Sequence, residues 1–579
     1  MLTILENARI VISLLKKHNI RYIVLSPGGS NIPIVQGVQQ DPFFKCYSVV
    51  DERSAMYFAI GLYLKTGEII ATSCTSAQAT RNYVPGLTEA FYKHVPVLAI
   101  TMSKHPRYLL QDYMQCPIQT SLPVDAVKAS YSLPYINNDN DRAQCIRTAN
   151  EAMLELTHNG NGPVQLNIEE LDNETWQFSN DLELPDVRCI KRFVNVDVAN
   201  DLRNKKILVV IGEHRVFSDS EKSAIEKFCE CHDVVIYSDH ISNYHGAYAL
   251  NANLRAMIMS QDAFDTQYSP DILITFGGLT GDYGIFNLLL RSKISEHWRI
   301  DVDGKVVDTY NKLTRIYQMD VVDFFNGVKT SNSSFEHSYY NRWKRLVDNS
   351  NHNVEVPFSN LYAAQQLHYR IPVNSTMCFA ILNSLRVWSY FPLHESIDCY
   401  SNVAAFGIDG CLSTMIGTSV VSDKLTFLVT GDLSFFYDMN ALGIRHIRNN
   451  LRVLLVNNNG GAEFKMGNLE TKTDVSSFIS AAGHYKTAKG WSETNGFKYL
   501  CAKDKDEFLA VVDEFLEGSE KPILLEIFTE ASNERKANGL IRTANFEGTK
   551  AENVKNSIKK VLKQTLGADT IDNLKHKLS

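Results

Sequence analysis

The chain has 579 residues, 44% of them hydrophobic, enough to bury a sizeable core and fill three domains of ordinary size. A net charge of −7 with both signs interspersed leaves no basic stripe, which argues against nucleic acid as a partner. No run approaches the roughly 18 uninterrupted apolar residues of a membrane helix. The start, Met1-Leu-Thr-Ile-Leu-Glu-Asn-Ala-Arg9, lacks the basic and apolar segments of a signal peptide. A cytoplasmic protein with no membrane partner is expected, and its eleven cysteines, scattered from Cys46 to Cys501, are expected to be reduced.

Ile4 to Lys17 carries a helical periodicity, with Ile4, Ala8, Val11 and Leu15 on one face. Tyr22 to Leu25 reads as a short buried strand that breaks into Ser26-Pro27-Gly28-Gly29-Ser30-Asn31, where glycine permits a tight turn and close backbone approach to a ligand. A second strand, Phe44 to Val50, ends in Asp51-Glu52-Arg53 before a helix that includes Ala55, so Glu52 sits where strand gives way to helix. Glu68 to Ser73 is a third strand, leading through Thr75-Ser76 and Asn82 to Pro85 and another helix, and Pro96 to Thr101 is a fourth. Strand and helix alternate, which predicts an α/β fold with a doubly wound parallel sheet.

The acidic stretch Glu169 to Pro185 reads as a linker. Beyond it, Lys206 to Gly212, Val234 to Tyr237 and Ile272 to Gly278 predict a second parallel sheet. Cys229-Glu-Cys231-His232 is a dense cluster, but no second Cys/His pair follows at zinc spacing, and it reads as half-buried thiols at a helix end. Gly277-Gly278 lacks the rest of a dinucleotide-binding turn. The polar run Ser331 to Pro357 marks another boundary. Ser375 to Cys378, Cys399-Tyr400, Leu425 to Val429, Val453 to Val456 and Ile523 to Phe528 are the strands expected in a third domain. The expected division is 1–180, 190–335 and 355–545, followed by a helical tail, 546–579, with Val554, Ile558, Val561 and Leu562 at helical spacing among lysines.

Chemistry concentrates at two strand ends of the last domain. One run closes on Gly431-Asp432 and the next on Asn457-Asn458-Asn459-Gly460-Gly461, about one crossover unit later. Buried parallel strands joined by a helix would deliver both ends to the same rim, where α/β sheets place ligands. A carboxylate, an amide oxygen and a glycine-region carbonyl are hard ligands suited to Mg²⁺ that also touches phosphate. Each piece alone has a plainer reading: an asparagine pair also fits a turn, and Glu52 also fits a helix-start acid favoured by the macrodipole.

Ser26-Pro27-Gly28, Asp51-Glu52-Arg53, Thr75-Ser76 to Asn82-x-x-Pro85, Gln115, Asn383-Ser384-Leu385 and Tyr400-Ser401-Asn402 occur in order along the chain. Gly407-Ile408-Asp409-Gly410, Gly431-Asp432-Leu433-Ser434, Tyr437-Asp438-x-Asn440 and Asn457 to Gly461 with Phe464 follow them. Taken together, this series resembles the thiamine-diphosphate (ThDP) enzyme superfamily, and within it the menaquinone-pathway synthases (MenD). The resemblance implies pyrimidine-binding, central and diphosphate-binding domains, ThDP and Mg²⁺ as cofactors, and a homodimer or homotetramer with active sites between subunits. It also implies a lyase or transferase that decarboxylates a 2-oxo acid and couples it to an acceptor.

By that resemblance Glu52 is the acid that hydrogen-bonds N1′ of the aminopyrimidine and favours its imino tautomer, whose nitrogen takes the weakly acidic C2 proton. A positioned base of this kind contributes on the order of 10²–10⁴ in rate. Asp432, Asn459 and the Gly461 carbonyl match the metal shell, and Ile408 matches the apolar prop under the bent cofactor. Pro27, Gly28, Asn82, Ser401, Gly431, Leu433, Ser434 and Phe464 match cofactor contacts, and Gln115 and Ser384 match positions facing the reacting carbon.

The departures from the family pattern concern charge. Ser30 stands where the family's Ser-Pro-Gly-Ser-Arg-Ser loop has arginine, and Leu109 replaces another arginine, with Arg107 close by. Trp388 ends the Asn-Ser-Leu-x-x-Arg motif, Val403 takes the arginine place after Ser401-Asn402, and Asp282 replaces a lysine after Thr280-Gly281. Substrates with several carboxylates need such partners, and losing one charged hydrogen bond costs roughly 1.5–3 kcal/mol. The expectation is a relative with a different, less anionic acceptor. Its alternatives are the menaquinone synthase itself, joining 2-oxoglutarate and isochorismate through rearranged anion contacts, and a non-catalytic scaffold of the fold. Glu463, beside Phe464, reads equally as a substrate contact or a solvated loop carboxylate.

Overall fold

A computed structural model describes residues 1–171, 174–196, 202–328, 336–465, 476–481 and 483–546, so the expected tail beyond Phe546 lies outside the described residues. The chain divides into two compact units. The first comprises Met1–Lys205, Asp271–Phe276 and Ile294–Ser331, and the second comprises Lys206–Pro270, Gly277–Lys293 and the chain from Asn332 onward.

In the first unit, β1 (Tyr22–Leu25), β2 (Lys45–Ser48), β3 (Ile70–Cys74), β4 (Val97–Lys104), β5 (Ala129–Leu133) and β6 (Val164–Glu170) form an all-parallel sheet ordered β2-β1-β3-β4-β6-β5. Alternate residues of one strand enter different cores: Ile23 and Leu25 join the Glu6–Lys17 helix, whereas Val24 joins Ala55, Met56 and Leu87. A sheet buried on both faces is the mark of the doubly wound arrangement. The unit also holds a parallel run of Ile272–Phe276, Glu296–Ile300, Leu313–Tyr317 and Lys191–Phe193. Within the segment read as a linker, Phe178–Ser179 pairs antiparallel with Leu2–Thr3.

In the second unit, β7 (Thr376–Phe379), β8 (Asp398–Ser401), β9 (Thr426–Gly431), β10 (Leu451–Asn457), β11 (Lys498–Ala502) and β12 (Ile523–Phe528) form another all-parallel sheet, ordered β8-β7-β9-β10-β12-β11. Phe379 and Val429 face one core, Cys378 and Leu428 the other. A parallel run of Lys206–Ile211, Asp233–Ser238 and Ala249–Leu250 completes its strands. Counted from its own first strand, each six-stranded sheet has the order 2-1-3-4-6-5. Strand order reverses between the first and third strands, and ligand crevices of such sheets open at the carboxyl ends there. In the first sheet those ends carry Ser26 and Thr75; in the second they lead to Ser384 and Asp432.

The α/β architecture is the one expected, but each of these sheets has more strands than the four and five read from hydrophobic runs. β6, Val-Gln-Leu-Asn-Ile-Glu-Glu, hides because Gln165 and Asn167 are buried polar residues. Their partners are supplied by neighbours: Gln165 Nε2 donates to Thr101 Oγ1 (3.0 Å), and Asn167 Nδ2 donates to Ser103 Oγ (2.8 Å) and Ser132 Oγ (3.1 Å). β5 and β11 are edge strands with exposed residues, and β5 presents no continuous apolar run. Among the described residues no helix is long and apolar enough to cross a membrane.

Candidate active site

At the end of β1 the chain folds over Thr75. A Cβ on Gly28 would lie 2.3 Å from Thr75 Cβ, so this approach requires glycine. Ser30 N donates to Thr75 Oγ1 (3.2 Å), and Ser30 Oγ lies 3.3 Å from Ser76 Oγ, while Pro27 is exposed. The loop after β3 is tied down from behind. Ala77 adopts φ 67° and donates its N–H to Gln119 Oε1 (2.9 Å); Gln119 Nε2 in turn donates to Met102 O (2.7 Å) and Asn167 Oδ1 (2.9 Å). This polar lattice fixes the start of the Gln78–Asn82 helix. At its end, Asn82 Nδ2 donates to Glu52 Oε2 at 3.0 Å. Glu52 opens the Glu52–Thr66 helix, capped by Asp51, whose Oδ1 accepts from Arg53 N (3.0 Å). Two residues expected at the cofactor are thus brought together. Gln115 is exposed in the loop after β4, with φ 57°. Sequence reasoning missed the buried Gln119 four residues on, for which the recurrence of glutamine was the available signal.

β9 closes on Gly431, and Asp432 starts the Asp432–Tyr437 helix. The Asp432 carboxylate is 1% exposed. Its Oδ1 accepts from Leu433 N (2.7 Å); its Oδ2 accepts from Asn458 N (3.0 Å) and Gly460 N (2.9 Å) and lies 3.1 Å from His484 Nε2. The aspartate and the asparagine run therefore share one rim. Asn457, however, turns inward, with Nδ2 donating to Glu526 Oε1 (2.7 Å) and Lys486 O (2.8 Å), and its Oδ1 accepts from Asn459 N (3.2 Å). Asn459 takes φ 60°, its carbonyl accepting from Gly483 N (2.9 Å), and Gly461 N donates to Ser480 O (2.5 Å). Ser434 Oγ donates to the carbonyl of half-buried Ile408 at 2.5 Å. Ser384 is buried on the Asn383–Trp388 helix, which Leu382 introduces at φ 65°, and Phe464 is 45% exposed. His484 carried no motif signal; only the fold brings it back to Asp432.

Among the described residues, two buried polar atoms here, Asn458 Oδ1 and Ser401 Oγ, have no hydrogen-bond partner, and a Cβ on Gly431 would meet nothing within 4 Å. An orphaned amide oxygen is satisfied by a cation or a donor, and an orphaned hydroxyl by an acceptor such as a phosphate oxygen. Together with the open space at Gly431, these residues fit a diphosphate and its metal.

The positions that depart from the family pattern are committed elsewhere. Ser30 is buried against Ser76, and Val403 is fully buried. Trp388 is buried with Nε1 donating to Asn360 Oδ1 (3.2 Å). Asp282 is buried, accepts from Tyr237 OH and caps the Tyr283–Arg291 helix through Gly284 N (2.7 Å); burial pushes its carboxyl up to about 7. Arg107 is exposed, donating from Nη2 to Tyr108 OH (2.6 Å). Glu463 is half-buried and paired: Arg386 Nη1 donates to its Oε2 at 2.9 Å.

A family profile described as thiamine pyrophosphate enzyme, N-terminal TPP binding domain, matches residues 6–122, the span holding β1 to β4, Gly28, Glu52, Asn82 and Gln115. The chain is a ThDP-dependent enzyme. It is 33% identical over 544 residues to the 2-succinyl-5-enolpyruvyl-6-hydroxy-3-cyclohexene-1-carboxylate synthase of Bacteroides thetaiotaomicron, covering 92% of this chain and 97% of that one. The synthases of the same name from Bacteroides fragilis (32%, covering 92% and 97%) and Flavobacterium psychrophilum (30%, covering 90% and 96%) are similar to it over comparable spans. The chain belongs to this synthase family of ThDP enzymes.

Proposed function

We propose that this chain is a cytoplasmic, ThDP- and Mg²⁺-dependent 2-oxo acid decarboxylase and carboligase whose substrates differ from those of the menaquinone synthases. The observation that carries the difference is the fate of the charged family positions. Val403 and Trp388 are spent on core packing, Asp282 on a helix cap and Ser30 on Ser76, so none is free to clamp a carboxylate.

In this reading Glu52, steered by Asn82, holds the proton at the aminopyrimidine nitrogen. Asp432, Asn459 and the Gly461 carbonyl would hold Mg²⁺, with Pro27, Gly28, Ser401, Gly431, Leu433, Ser434 and Phe464 around the cofactor and Ile408 as its apolar prop. Gln115 and Ser384 would face the substrate. Bound ThDP supplies the acidic thiazolium carbon that makes loss of CO₂ from a 2-oxo acid feasible. We assign the pyrimidine-binding, central and diphosphate-binding domains to 1–180, 190–335 and 355–545. A homodimer or homotetramer is supported by the exposed apolar side chains Val50, Tyr57, Phe58 and Leu64, on and beside the helix that Glu52 opens.

The test is CO₂ release from a panel of 2-oxo acids with ThDP and Mg²⁺, with coupled products identified by mass. Glu52→Gln should lose turnover while ThDP still binds by calorimetry, and full activity in that variant would overturn the assignment. A second reading, the menaquinone synthase itself, is favoured by the names of the relatives. Incubation with isochorismate and 2-oxoglutarate decides between them, and no product is expected.

A further inference from the structure

Three segments of the site run, within two residues, into one cluster. Ser384 is followed by Arg386, Gly461 by Glu463, and Ile408 is preceded by Phe406. The Arg386 guanidinium, 11% exposed, donates from Nη1 to Glu463 Oε2 at 2.9 Å and lies 5.3 Å from the centre of the Tyr283 ring. The Tyr283 ring meets Phe406 edge-on, with centroids 5.9 Å apart at 82°. Phe406 sits at φ 58°, a conformation that a bulky side chain rarely adopts and that the surrounding packing must impose.

A guanidinium stays charged when buried and therefore needs an anion beside it. A site for a dicarboxylate would leave that anion to the substrate. Here the chain provides it: the Glu463 carboxylate occupies Arg386, and the pair presents no net charge. A second carboxylate brought to the same place would meet the half-buried Glu463, whose like charge repels it. The ring faces of Tyr283 and Phe406 offer apolar and aromatic contact instead.

We propose that the Arg386–Glu463 pair, walled by Tyr283 and Phe406, sets the substrate class: Glu463 stands in for a substrate carboxylate, so the enzyme takes 2-oxo acids with an uncharged apolar or aromatic end and rejects dicarboxylates. This rests on the 2-oxo acid chemistry proposed above and specifies it. Glu463→Gln keeps the size and an acceptor for Arg386 while removing the charge. The full-length protein with ThDP and Mg²⁺ is compared on 2-oxohexanoate and 2-oxoglutarate, by calorimetric binding and by kcat and KM. The variant should shift the preference towards 2-oxoglutarate by at least about tenfold, the scale of one charged contact, through KM rather than kcat. Adding Arg386→Gln should erase that gain.

An unchanged preference in folded Glu463→Gln protein overturns the inference. If that variant does not fold, the double variant Arg386→Met, Glu463→Leu decides: it should keep the preference for 2-oxohexanoate, and a gain for 2-oxoglutarate there overturns the proposal. If no 2-oxo acid is turned over by the wild type, the proposed chemistry fails, and the calorimetric ratio of the two acids still tests the pair by itself. Binding of neither acid to any variant overturns both.

Discussion

His484 Nε2 stands 3.1 Å from Asp432 Oδ2, the same oxygen that accepts from the N–H groups of Asn458 and Gly460. A carboxylate gripped by two backbone donors and an imidazole is oriented before any ligand arrives. Outer partners of this kind are worth roughly 10–100-fold in metal affinity. His484→Ala is therefore expected to raise the Mg²⁺ concentration needed for half-maximal ThDP binding by about 10–100-fold, with kcat at saturating Mg²⁺ largely kept. Titration calorimetry across Mg²⁺ concentrations checks this, and an unaltered requirement would make His484 a packing residue only.

The Asn82–Glu52 hydrogen bond, at 3.0 Å, leads to a kinetic expectation. Without the amide the carboxylate keeps its chemistry but loses its aim. Asn82→Ala should lower kcat by about 10-fold, the scale of one hydrogen bond to a charged group, and change the ThDP affinity less. A loss confined to ThDP affinity would place Asn82 in cofactor contact alone.

Gly28 and Thr75 test the packing of the first rim. A Cβ at 2.3 Å from Thr75 Cβ cannot be accommodated without moving the loop. Gly28→Ala is expected to destabilise by about 1–3 kcal/mol, the usual range for overpacking. Adding Thr75→Gly should recover much of the lost melting temperature, and failure of that rescue would locate the strain elsewhere.

Gln119 holds three groups at once: the Ala77 N–H, the Met102 carbonyl and the Asn167 amide oxygen. Gln119→Leu has similar size but satisfies none of them. With about 1–3 kcal/mol per orphaned buried group, it should lower the urea midpoint sharply. A midpoint equal to that of the wild type would mean that water replaces the side chain.

The Asp282 carboxyl, lifted to about 7 first by burial and further by the nearby Asp239, sets a pH dependence. A carboxyl raised in the folded chain keeps its proton after the unfolded chain has released it. Its contribution to stability therefore falls as pH rises from about 4 to about 7 and is level above that. Asn can retain the cap at Gly284. Asp282→Asn should flatten the decline in melting temperature between pH 5 and pH 8, and parallel curves for the two proteins would contradict the assignment.

The parts legible from sequence were those written as short-range patterns. Ile70 to Thr72 and Thr426 to Thr430 are unbroken apolar or β-branched runs, and the turns after their strands carry their own chemistry in Thr75 and Asp432. The rest depends on distant partners. β6 does not stand out locally as an interior strand because its buried Gln165 and Asn167 are satisfied by residues more than thirty positions away, such as Thr101, Gln119 and Ser132. Asn457 was read with its neighbours as one rim, yet its side chain is drawn inward by Glu526 across the sheet. The pairing of Arg386 with Glu463 spans 77 positions, and no local spacing announces it.

β1 to β6 all fall between Tyr22 and Glu170, and β7 to β12 between Thr376 and Phe528. Among the described residues, no strand of either six-stranded sheet is borrowed from the other stretch of chain. On the ribosome, therefore, the amino-terminal sheet has every one of its strands in hand before the first strand of the later sheet has been translated, and its hydrogen-bonded edges need not wait exposed for a late-arriving partner.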